Sequence, residues 1–432
     1  MKTDRLEFIR KVLDDKFHRK CYYCEHGTLI GLVSDKVKCK IFGREFPYDH
    51  VCENWKIDED FVRMIASKTS LYEEEKSNPK NVKEKIRVAV VGVGNCCSAL
   101  VQGVFCRDED KILPHPDIGG YGVNDIEFAA AFDVDERKVG KDLGEAIFSE
   151  PNNFMKVFNV PRLNIPVFMG HVLDGADGIL GNAIRVAKEK PVDVAKVLVE
   201  RKVDVVVNFL PTGVVEASRF YANEALKAGC AFINATPTPI ATDKGFAEEF
   251  ENAGLPLIGD DVMSQIGGTV LHKNLLEFLN LRGVKLLKSY QIDVGGGMES
   301  YNTLEPSRRS LKRKIKTDTI KHSIPYKVEV VAGTTDYVDF MKNSRTSYFW
   351  INGKYFLGMP VTIDLYLRTF DAPNSTPIIL DSIRAAKIAL ERRVGGPLVS
   401  VCAYGYKNPP VKVSTYEAEK WFMEFVEGKR EK

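Results

Sequence analysis

The sequence has 432 residues, of which 44% are hydrophobic and 28% charged, so it is long enough for roughly two or three domains. The net charge of +2 predicts neither a nucleic-acid-binding nor a membrane-binding surface. No apolar run approaches the roughly 18 residues of a membrane span, and the charged N-terminus is not typical of a signal peptide. Nine cysteines, an odd number, argue against a disulfide framework, and the cytoplasm is the expected location.

Residues 1–72 are predicted to form a small separate module. Four of its cysteines could bind one structural zinc: Cys21, Cys24, Cys39 and Cys52. His26 or His50 could replace one of them, and such a site would stabilise a module this small. The alternative is a hairpin domain with ordinary reduced cysteines. The charged run at 73–85 is predicted to be a linker.

A short apolar run at 86–91, IRVAVV, is typical of a buried parallel strand. The turn and helix start that follow contain four candidate cofactor contacts: Gly92, Gly94, Asn95 and Cys96. Glycine lets the backbone approach a ligand closely, and the N-terminus of the next helix attracts a pyrophosphate. Because Cys97 replaces the third glycine of the dinucleotide fingerprint, an ordinary strand–turn–helix unit stays open as the alternative.

The next predicted strand, at 126–135, carries a carboxylate at its end, Asp133. An acid in this place binds the adenosine ribose hydroxyls and repels a 2′-phosphate, so Asp133 favours NAD over NADP. The acid follows Gly92 at about twice the usual interval of about 20 residues. The stretch at 108–124, rich in Pro and Gly, predicts the loop that accounts for the difference.

Strand and helix patterns alternate up to about residue 269. They predict helices at 183–201, 216–228 and 244–253 and strands at 203–209, 231–235 and 255–258. Pro211 and Thr212 follow one of these strands, at the edge where open α/β sheets bind ligands. The pattern predicts an α/β fold with a Rossmann-like, doubly wound parallel sheet.

The pattern changes after residue 270. Five strands are predicted, at 284–293, 327–331, 347–350, 354–357 and 361–369. They indicate a second α+β domain at 270–370 with a mostly antiparallel sheet. A helix at 381–392 is expected to pack back on the first domain, which would comprise 86–269 and 371–432.

The chain from about 86 to 410 resembles the myo-inositol-1-phosphate synthase family, in its bacterial and archaeal branch. The motifs are VGVGNC at 91–96, FAAAFDVD at 128–135, GDDVMSQIGGT at 259–269, VGGGMESYNTLE at 294–305, DAPNSTPIILDSIRAAKIALERRVGGP at 371–397 and AYGYKNPP at 403–410. Together they are highly specific, and the first 80 residues take no part in the resemblance.

The resemblance implies an NAD-dependent inositol-3-phosphate synthase that converts D-glucose 6-phosphate to 1D-myo-inositol 3-phosphate. In that reaction C5 is oxidised, C6 loses a proton, the enolate closes the ring on the C1 aldehyde, and the ketone is reduced again. The resemblance also implies a homotetramer in which the domain at 270–370 serves catalysis and oligomerisation. Two alternatives stay open, a related NAD-dependent enzyme for a different sugar phosphate and a non-catalytic NAD-binding regulator.

The catalytic lysines of the family fall on Lys312, Lys316 and Lys407. An enolate and a phosphate dianion need fixed positive charge in a dry site, and a buried lysine can also exchange a proton. Lys312 and Lys316 are four residues apart, on one face of a predicted helix. The alternative for the basic run at 308–317 is a solvated face.

Acidic and phosphate-binding candidates complete the predicted site. Asp260 and Asp261 follow a predicted strand, where a carboxylate could hold the ribose, a lysine or a cation, or cap the next helix. Asp381 is a further predicted cofactor contact. Three residues could present hydroxyl, amide or helix N–H groups to the substrate phosphate: Ser264, Gln265 and Thr269.

Five positions depart from the family pattern, where lysine, asparagine and aspartate are usual: Met263, Gly297, Glu299, Asn343 and Arg345. Arg345 takes the place of an active-site lysine, and arginine keeps the charge but does not exchange a proton at neutral pH. The changes cluster around the substrate and leave the cofactor site nearly intact, which allows a paralogue acting on a different sugar phosphate.

Overall fold

The computed structural model describes residues 84–432, apart from the side chains at 334 and 335, and three short strands before them. Those strands form an antiparallel sheet in the order β1-β2-β3: β1 (Gly27–Leu29), β2 (Lys36–Cys39) and β3 (Glu45–Pro47). They belong to a compact unit at 1–83, and residues 84–432 form a second unit. Of the predicted zinc ligands, Cys21, Cys24 and Cys52 lie outside the described residues, and Cys39 is described only as the last residue of β2.

The second unit contains eleven strands and eleven α-helices. The strands are β4 (Ile86–Val91), β5 (Ile126–Asp133), β6 (Val167–Met169), β7 (Val205–Asn208), β8 (Ala231–Asn234), β9 (Pro256–Ile258), β10 (Lys285–Gly295), β11 (Glu329–Tyr337), β12 (Ser344–Lys354), β13 (Pro360–Phe370) and β14 (Gly396–Pro397). The helices are α1 (Asn95–Phe105), α2 (Leu143–Ala146), α3 (Val194–Glu200), α4 (Val215–Ala228), α5 (Lys244–Asn252), α6 (Gly268–Leu281), α7 (Met298–Asn302), α8 (Pro306–Lys321), α9 (Asp371–Arg392), α10 (Val399–Gly405) and α11 (Thr415–Val426). None of the helices in 84–432 is long and apolar enough to cross a membrane.

Seven of these strands form one parallel sheet in the order β14-β9-β8-β7-β4-β5-β6. The predicted Rossmann-like sheet is thereby confirmed. The strand order reverses at β4, which pairs with β5 on one side and β7 on the other. Ligands of open α/β sheets bind outside the carboxyl ends of the strands at such a reversal.

The second sheet has the order β11-β10-β12-β13 and is mixed, because β10 is parallel to β11 and antiparallel to β12. One of its faces packs on α6 and α8 through a small core that includes Leu276, Ile320 and Ile351. The prediction of a second α+β domain with a mostly antiparallel sheet is confirmed. The strand predicted at 354–357 was wrong, because β12 already ends at Lys354 and a 3-10 turn follows before β13.

Two helix predictions need correction. The helix predicted at 183–201 is only α3, since Pro191 cannot continue a helix and Asp193 begins a new one by accepting a hydrogen bond from the Lys196 N–H at 3.0 Å. The helix predicted at 381–392 begins ten residues earlier, at Asp371, and contains Pro377. As predicted, this helix packs on the parallel sheet and on α1, with most of its side chains buried.

Candidate active site

The glycine turn after β4 opens onto a cavity at the carboxyl edge of the sheet. Gly92 has a φ of +86°, and a Cβ there would lie 3.3 Å from the backbone of Phe209. A Cβ on Gly94 would meet no atom within 4 Å, so the turn leaves free space on its ligand side. Asn95 fixes the start of α1, because its Oδ1 accepts hydrogen bonds from the N–H groups of Asn153 and Phe154 at 2.8 and 2.9 Å.

The carboxylate of Asp133 lies beside this turn. Its Oδ2 accepts a hydrogen bond from the Val93 N–H at 2.7 Å, and its Oδ1 accepts from the N–H groups of Val134 and Asp135. Asp133 lines a cavity of about 130 Å³ together with the glycine turn and Pro211. The free space at Gly94 and the carboxylate at the strand end fit the adenosine half of NAD.

A second cavity of about 210 Å³ shares Gly94, Asn95 and Pro211 with the first, so the two form one crevice. Nine further residues of the predicted site line this second cavity: Cys96, Thr212, Asp261, Ser264, Thr269, Lys312, Lys316, Arg345 and Lys407. They come from α1, from the loops after β7 and β9, from the start of α6, from α8, from β12 and from the segment after α10. The chain thus brings residues up to 311 positions apart to one end of the dinucleotide cavity.

One face of α8 supplies two of the lysines. Lys312 and Lys316 are four residues apart and only 8% and 3% exposed, although the helix is strongly basic. Thr319 lies on the same face, and its hydroxyl donates a hydrogen bond to the carbonyl of Lys407 at 2.7 Å. This bond holds the segment that carries the third lysine against the helix.

Asp261 joins two of the three lysines. Its Oδ1 accepts hydrogen bonds from Nζ of Lys312 at 3.1 Å and Nζ of Lys407 at 2.9 Å. Burial by itself would raise the pKa of this carboxyl, but the two ammonium groups outweigh burial and lower it. Among the described residues no group donates to its buried Oδ2. Of the predicted roles for this acid, the structure shows the one in which it holds lysine.

The two lysines on Asp261 differ in their electrostatics. Burial and the positive charges of Lys312 and Lys316 lower the pKa of Lys407 to about 8, although Asp261 opposes them. Burial also acts on Lys312, but Asp261 and Glu299, 3.3 Å away, outweigh it and raise its pKa. These shifts favour the ammonium form of Lys312, and they bring the pKa of Lys407 closer to neutral pH than that of an ordinary lysine.

Lys316 and Arg345 each have a carboxylate of their own. Nζ of Lys316 lies 2.6 Å from Oδ2 of Asp293. Burial would raise the pKa of Asp293, but Lys316 and Arg345 lower it to about 2. Arg345 lies 3.0 Å from Oδ2 of Asp371, and among the described residues none accepts a hydrogen bond from its buried Nε. The free N–H lies in a side chain that lines the cavity, where a substrate oxygen could accept it.

The structure places Asp260 away from the crevice, which corrects its predicted role as a cofactor contact. Its fully buried carboxylate accepts hydrogen bonds from the N–H groups of Ile240, Ala241 and Thr242 and from Nδ2 of Asn234. Burial raises its pKa to about 6. Asp260 thus fixes the loop after β8, one residue before the acid that faces the lysines.

Asp381 and Gln265 also lie elsewhere. The buried carboxylate of Asp381 accepts hydrogen bonds from Arg384 and from the hydroxyl of Tyr404, and it lies 2.8 Å from Nδ1 of His115. Asp381 is therefore part of the packing of α9, and its predicted cofactor contact needs correction. Gln265 lines a neighbouring cavity, whereas Ser264 and Thr269 line the crevice at the start of α6.

Comparisons with known proteins identify the family. The sequence profile described as myo-inositol-1-phosphate synthase matches residues 267–372. A protein of Mycolicibacterium smegmatis named inositol-3-phosphate synthase is 43% identical over 357 residues, covering 80% of this chain and 98% of the relative. A protein of the same name from Mycobacterium tuberculosis is 40% identical over 353 residues, covering 80% of this chain and 96% of the relative. The chain belongs to the myo-inositol-1-phosphate synthase family.

Two solved structures share the fold of this chain. The crystal structure of Ari2 is 33% identical, with a TM-score of 0.66 over 80% of this chain and 99% of that one. The structure of inositol-3-phosphate synthase from Caenorhabditis elegans has a TM-score of 0.65 at 15% identity, over 80% of this chain and 86% of that one. At that identity the likeness shows a shared fold only.

The five departures from the pattern of the inositol-1-phosphate synthase family fall in different places. Three of them, Gly297, Glu299 and Arg345, line the crevice. Asn343 also lines it, but its Oδ1 accepts the Ala372 N–H at 2.8 Å and so holds the start of α9. Met263 is buried and lines the neighbouring cavity. The lysine usual in the family at this position is therefore replaced beside the crevice and not within it.

Sequence reasoning missed three carboxylates as members of the site. Glu299 forms an ion pair with Lys312 and accepts a hydrogen bond from the hydroxyl of Thr212. Asp293 forms an ion pair with Lys316, and Asp371 forms one with Arg345. In the sequence only Glu299 carries a signal, as a replacement of a family aspartate in the motif at 294–305. Nothing in the local pattern of Asp293 or Asp371 indicates a lysine or arginine partner.

Proposed function

We propose that this protein is an NAD-dependent inositol-3-phosphate synthase that converts D-glucose 6-phosphate to 1D-myo-inositol 3-phosphate. One observation carries the proposal: Lys312 and Lys407 share one carboxylate oxygen of Asp261 in a cavity that continues into the dinucleotide crevice. The reaction develops negative charge on several oxygens of one small substrate in turn. A cluster of buried cations beside the cofactor end meets that requirement.

In this proposal NAD would lie along the crevice with its adenosine half at Asp133 and its nicotinamide at the lysine end. The turn from Gly92 to Asn95 would hold the pyrophosphate against the start of α1, and Asp133 would bind the adenosine ribose. Cys96, Pro211 and Thr212 would lie near the nicotinamide, because they line the lysine end of the crevice. When bound there, NAD+ accepts the hydride from C5 and later returns it.

The lysines divide the remaining work among themselves. Lys407, whose pKa is lowered to about 8, takes the proton of the C5 hydroxyl as the hydride leaves. Lys312 stabilises the negative charge near the C5 oxygen, because its two carboxylate neighbours keep it positively charged. C6 gives its proton to the phosphate dianion of the substrate, which leaves the enolate. Lys316 polarises the C1 carbonyl, so that the enolate carbon C6 attacks C1 and closes the ring, and the C1 oxygen takes a proton from Lys316.

The substrate phosphate is assigned to the part of the cavity lined by Ser264 and Thr269. Thr269 lies in the first turn of α6 and Ser264 in the loop before it, and the unpaired N–H groups of a helix start attract an anion. The Nε of Arg345 has no acceptor among the described residues and can donate to a phosphate or hydroxyl oxygen. Arginine suits this role because it provides a fixed fork of donors.

A second candidate is a related enzyme that acts on a different sugar phosphate. It is favoured by Glu299 and Arg345, two departures from the family pattern that line the cavity. Both keep the sign of the usual charge but differ in length or shape, which would alter the space around the substrate hydroxyls. In this candidate the lysine chemistry is unchanged and only the sugar differs.

The test is an assay of purified protein with D-glucose 6-phosphate and NAD+, in which inositol phosphate is identified by mass spectrometry and chiral chromatography. Fructose 6-phosphate and mannose 6-phosphate serve as competing substrates, and Lys312→Ala serves as the matched inactive variant. We expect product without net NADH, because the hydride is returned. NADH accumulating in proportion to product would contradict the proposal, and turnover of another sugar phosphate alone would select the second candidate.

The remaining expectations stay proposals. A homotetramer is expected, and sedimentation velocity of the full chain tests it. The cytoplasmic location and the zinc in the N-terminal module likewise remain predictions. A cation near the nicotinamide also remains a prediction. Residues 84–432 contain no group of three or more His, Cys, Asp or Glu side chains placed to hold a metal ion.

A further inference from the structure

The segment from His171 to Asn182, here called the strap, follows β6 and lines the dinucleotide cavity. Its contribution to the wall consists mainly of apolar or small side chains: Val172, Leu173, Gly175, Ala176 and Leu180, with His171 at the start. Val172 and Leu173 are 42% and 43% exposed, unlike ordinary core residues. A bound adenosine would cover apolar surface of this kind.

The first fastening of the strap is Asp174. Its carboxylate accepts hydrogen bonds from the N–H groups of Val215, Glu216 and Ala217, at 2.5, 2.7 and 3.0 Å. These are the first three residues of α4, whose N–H groups have no partner within the helix. The strap therefore supplies the cap of a helix 41 residues further along the chain.

The second fastening is Asp177, which lies 3.0 Å from Arg308 on α8. Arg308 is buried one turn before Lys312, and its other terminal nitrogen donates to Oδ1 of Asn302 at 2.6 Å. Asn302 in turn donates to the carbonyl of Thr212 at 2.9 Å. The strap is thus joined through one arginine to the lysine helix and to the loop that lines both cavities.

We propose that the strap is a retaining device for the cofactor, with Asp174 and Asp177 as positioning residues that keep the dinucleotide bound throughout the catalytic cycle. This inference rests on the proposed function. In a redox-neutral reaction the NADH formed in the first step must return its hydride to the same sugar. If NADH escaped, the oxidised intermediate could not be reduced. Escape past the strap requires that at least one of the two fastenings opens.

The proposal is tested by the rate at which bound NAD exchanges, which requires no turnover. The full-length protein is loaded with radiolabelled NAD+ and chased with unlabelled NAD+. Asp174→Ala removes the helix cap, and we expect release at least about fivefold faster, on the scale of losing a cap. Asp177→Asn removes an exposed ion pair, and we expect about a two- to fivefold increase.

Two variants separate the strap from general destabilisation. Asp174→Asn keeps a capping side chain, so release is expected to stay within twofold of the unaltered protein. Asp193→Ala removes the N-cap of α3. Because Asp193 does not line the dinucleotide cavity, this variant should leave the rate of NAD release unchanged.

The outcomes distinguish the strap from the proposed function. Release unchanged in both Asp174→Ala and Asp177→Asn, or accelerated equally by Asp193→Ala, would overturn the strap. An unaltered protein that retains NAD but forms no cyclic product from any sugar phosphate would overturn the proposed function alone. If Asp174→Ala does not fold, the rate of NAD release from Asp177→Asn decides between the outcomes. The Asp177 carboxylate is largely exposed, so this substitution should not prevent folding.

Discussion

Replacing Asp261 by asparagine gives the sharpest test of the lysine cluster. The substitution keeps the shape of the side chain but removes the charge that holds Lys312 and Lys407 together. We expect the pKa of Lys407 to fall below about 8, because burial and the charges of Lys312 and Lys316 then act without opposition. Since neutral Lys407 is the proposed base, turnover of the unaltered enzyme should rise with pH through about 8. In the variant this rise should occur at lower pH.

The size of the shift follows from the geometry. Two opposite unit charges at the 2.9 Å between Lys407 and Asp261 attract each other by about 6 kcal/mol at an effective dielectric constant of about 20. Rearrangement of the site after the substitution reduces this figure, and about a quarter of it is enough for one pKa unit, or about 1.4 kcal/mol. We therefore expect a downward shift of at least about one unit. Turnover at its maximum should fall at least about a hundredfold, since Lys312 loses a partner as well.

The assay is the pH dependence of kcat between pH 6 and 9.5, with inositol phosphate as the measured product. Asp260→Asn is the matched control, because it alters the adjacent buried acid, which contacts no lysine in the described structure. This control should lower the melting temperature and leave the inflection in place. An inflection at the same pH in Asp261→Asn and in the unaltered enzyme would refute the assignment of Lys407 as the titrating base.

Four further predictions follow from the same structure. Replacing any one of Lys312, Lys316 and Lys407 by alanine should lower turnover at least about a hundredfold. The NAD affinity of each variant, measured by calorimetry, should stay within about twofold of that of the unaltered protein. Asp133→Ala should weaken NAD binding more than Gly103→Ala, whereas equal binding of NADP by the unaltered protein would disprove the cofactor assignment. The partners of His115 raise its pKa to about 9 against the effect of burial, so His115→Asn should lower the free energy of unfolding at pH 6 by roughly 1 kcal/mol. That loss should shrink as the pH rises from 6.5 towards 9, and equal losses at both ends would contradict it. A truncation beginning near Lys83 should keep turnover, and metal analysis of residues 1–80 should find one zinc; a folded but inactive truncation would show that the module takes part in the chemistry.

The parallel sheet and much of the site could be predicted from local sequence patterns. Buried strands such as β4 and β5 are short, mostly apolar runs, and this pattern can be recognised without knowing their distant neighbours. The glycine turn and Asp133 are recognisable because a dinucleotide imposes both the residue types and their order along the chain. The lysines at 312 and 316 were found because their spacing puts them on one helix face and because the family motif coincides with them.

The pairing of each carboxylate with its lysine or arginine became visible in the folded structure. Asp260 and Asp261 are adjacent in sequence, yet one fixes a buried loop and the other binds two lysines, because the backbone turns between them. Asp381 looked like a ligand contact but is used in packing α9. The strap is also invisible in the sequence, since Asp174 and Arg308 matter through partners that lie 41 and 131 residues away. A side chain's pKa and role depend on charges within a few ångströms, and long-range folding alone determines which charges those are.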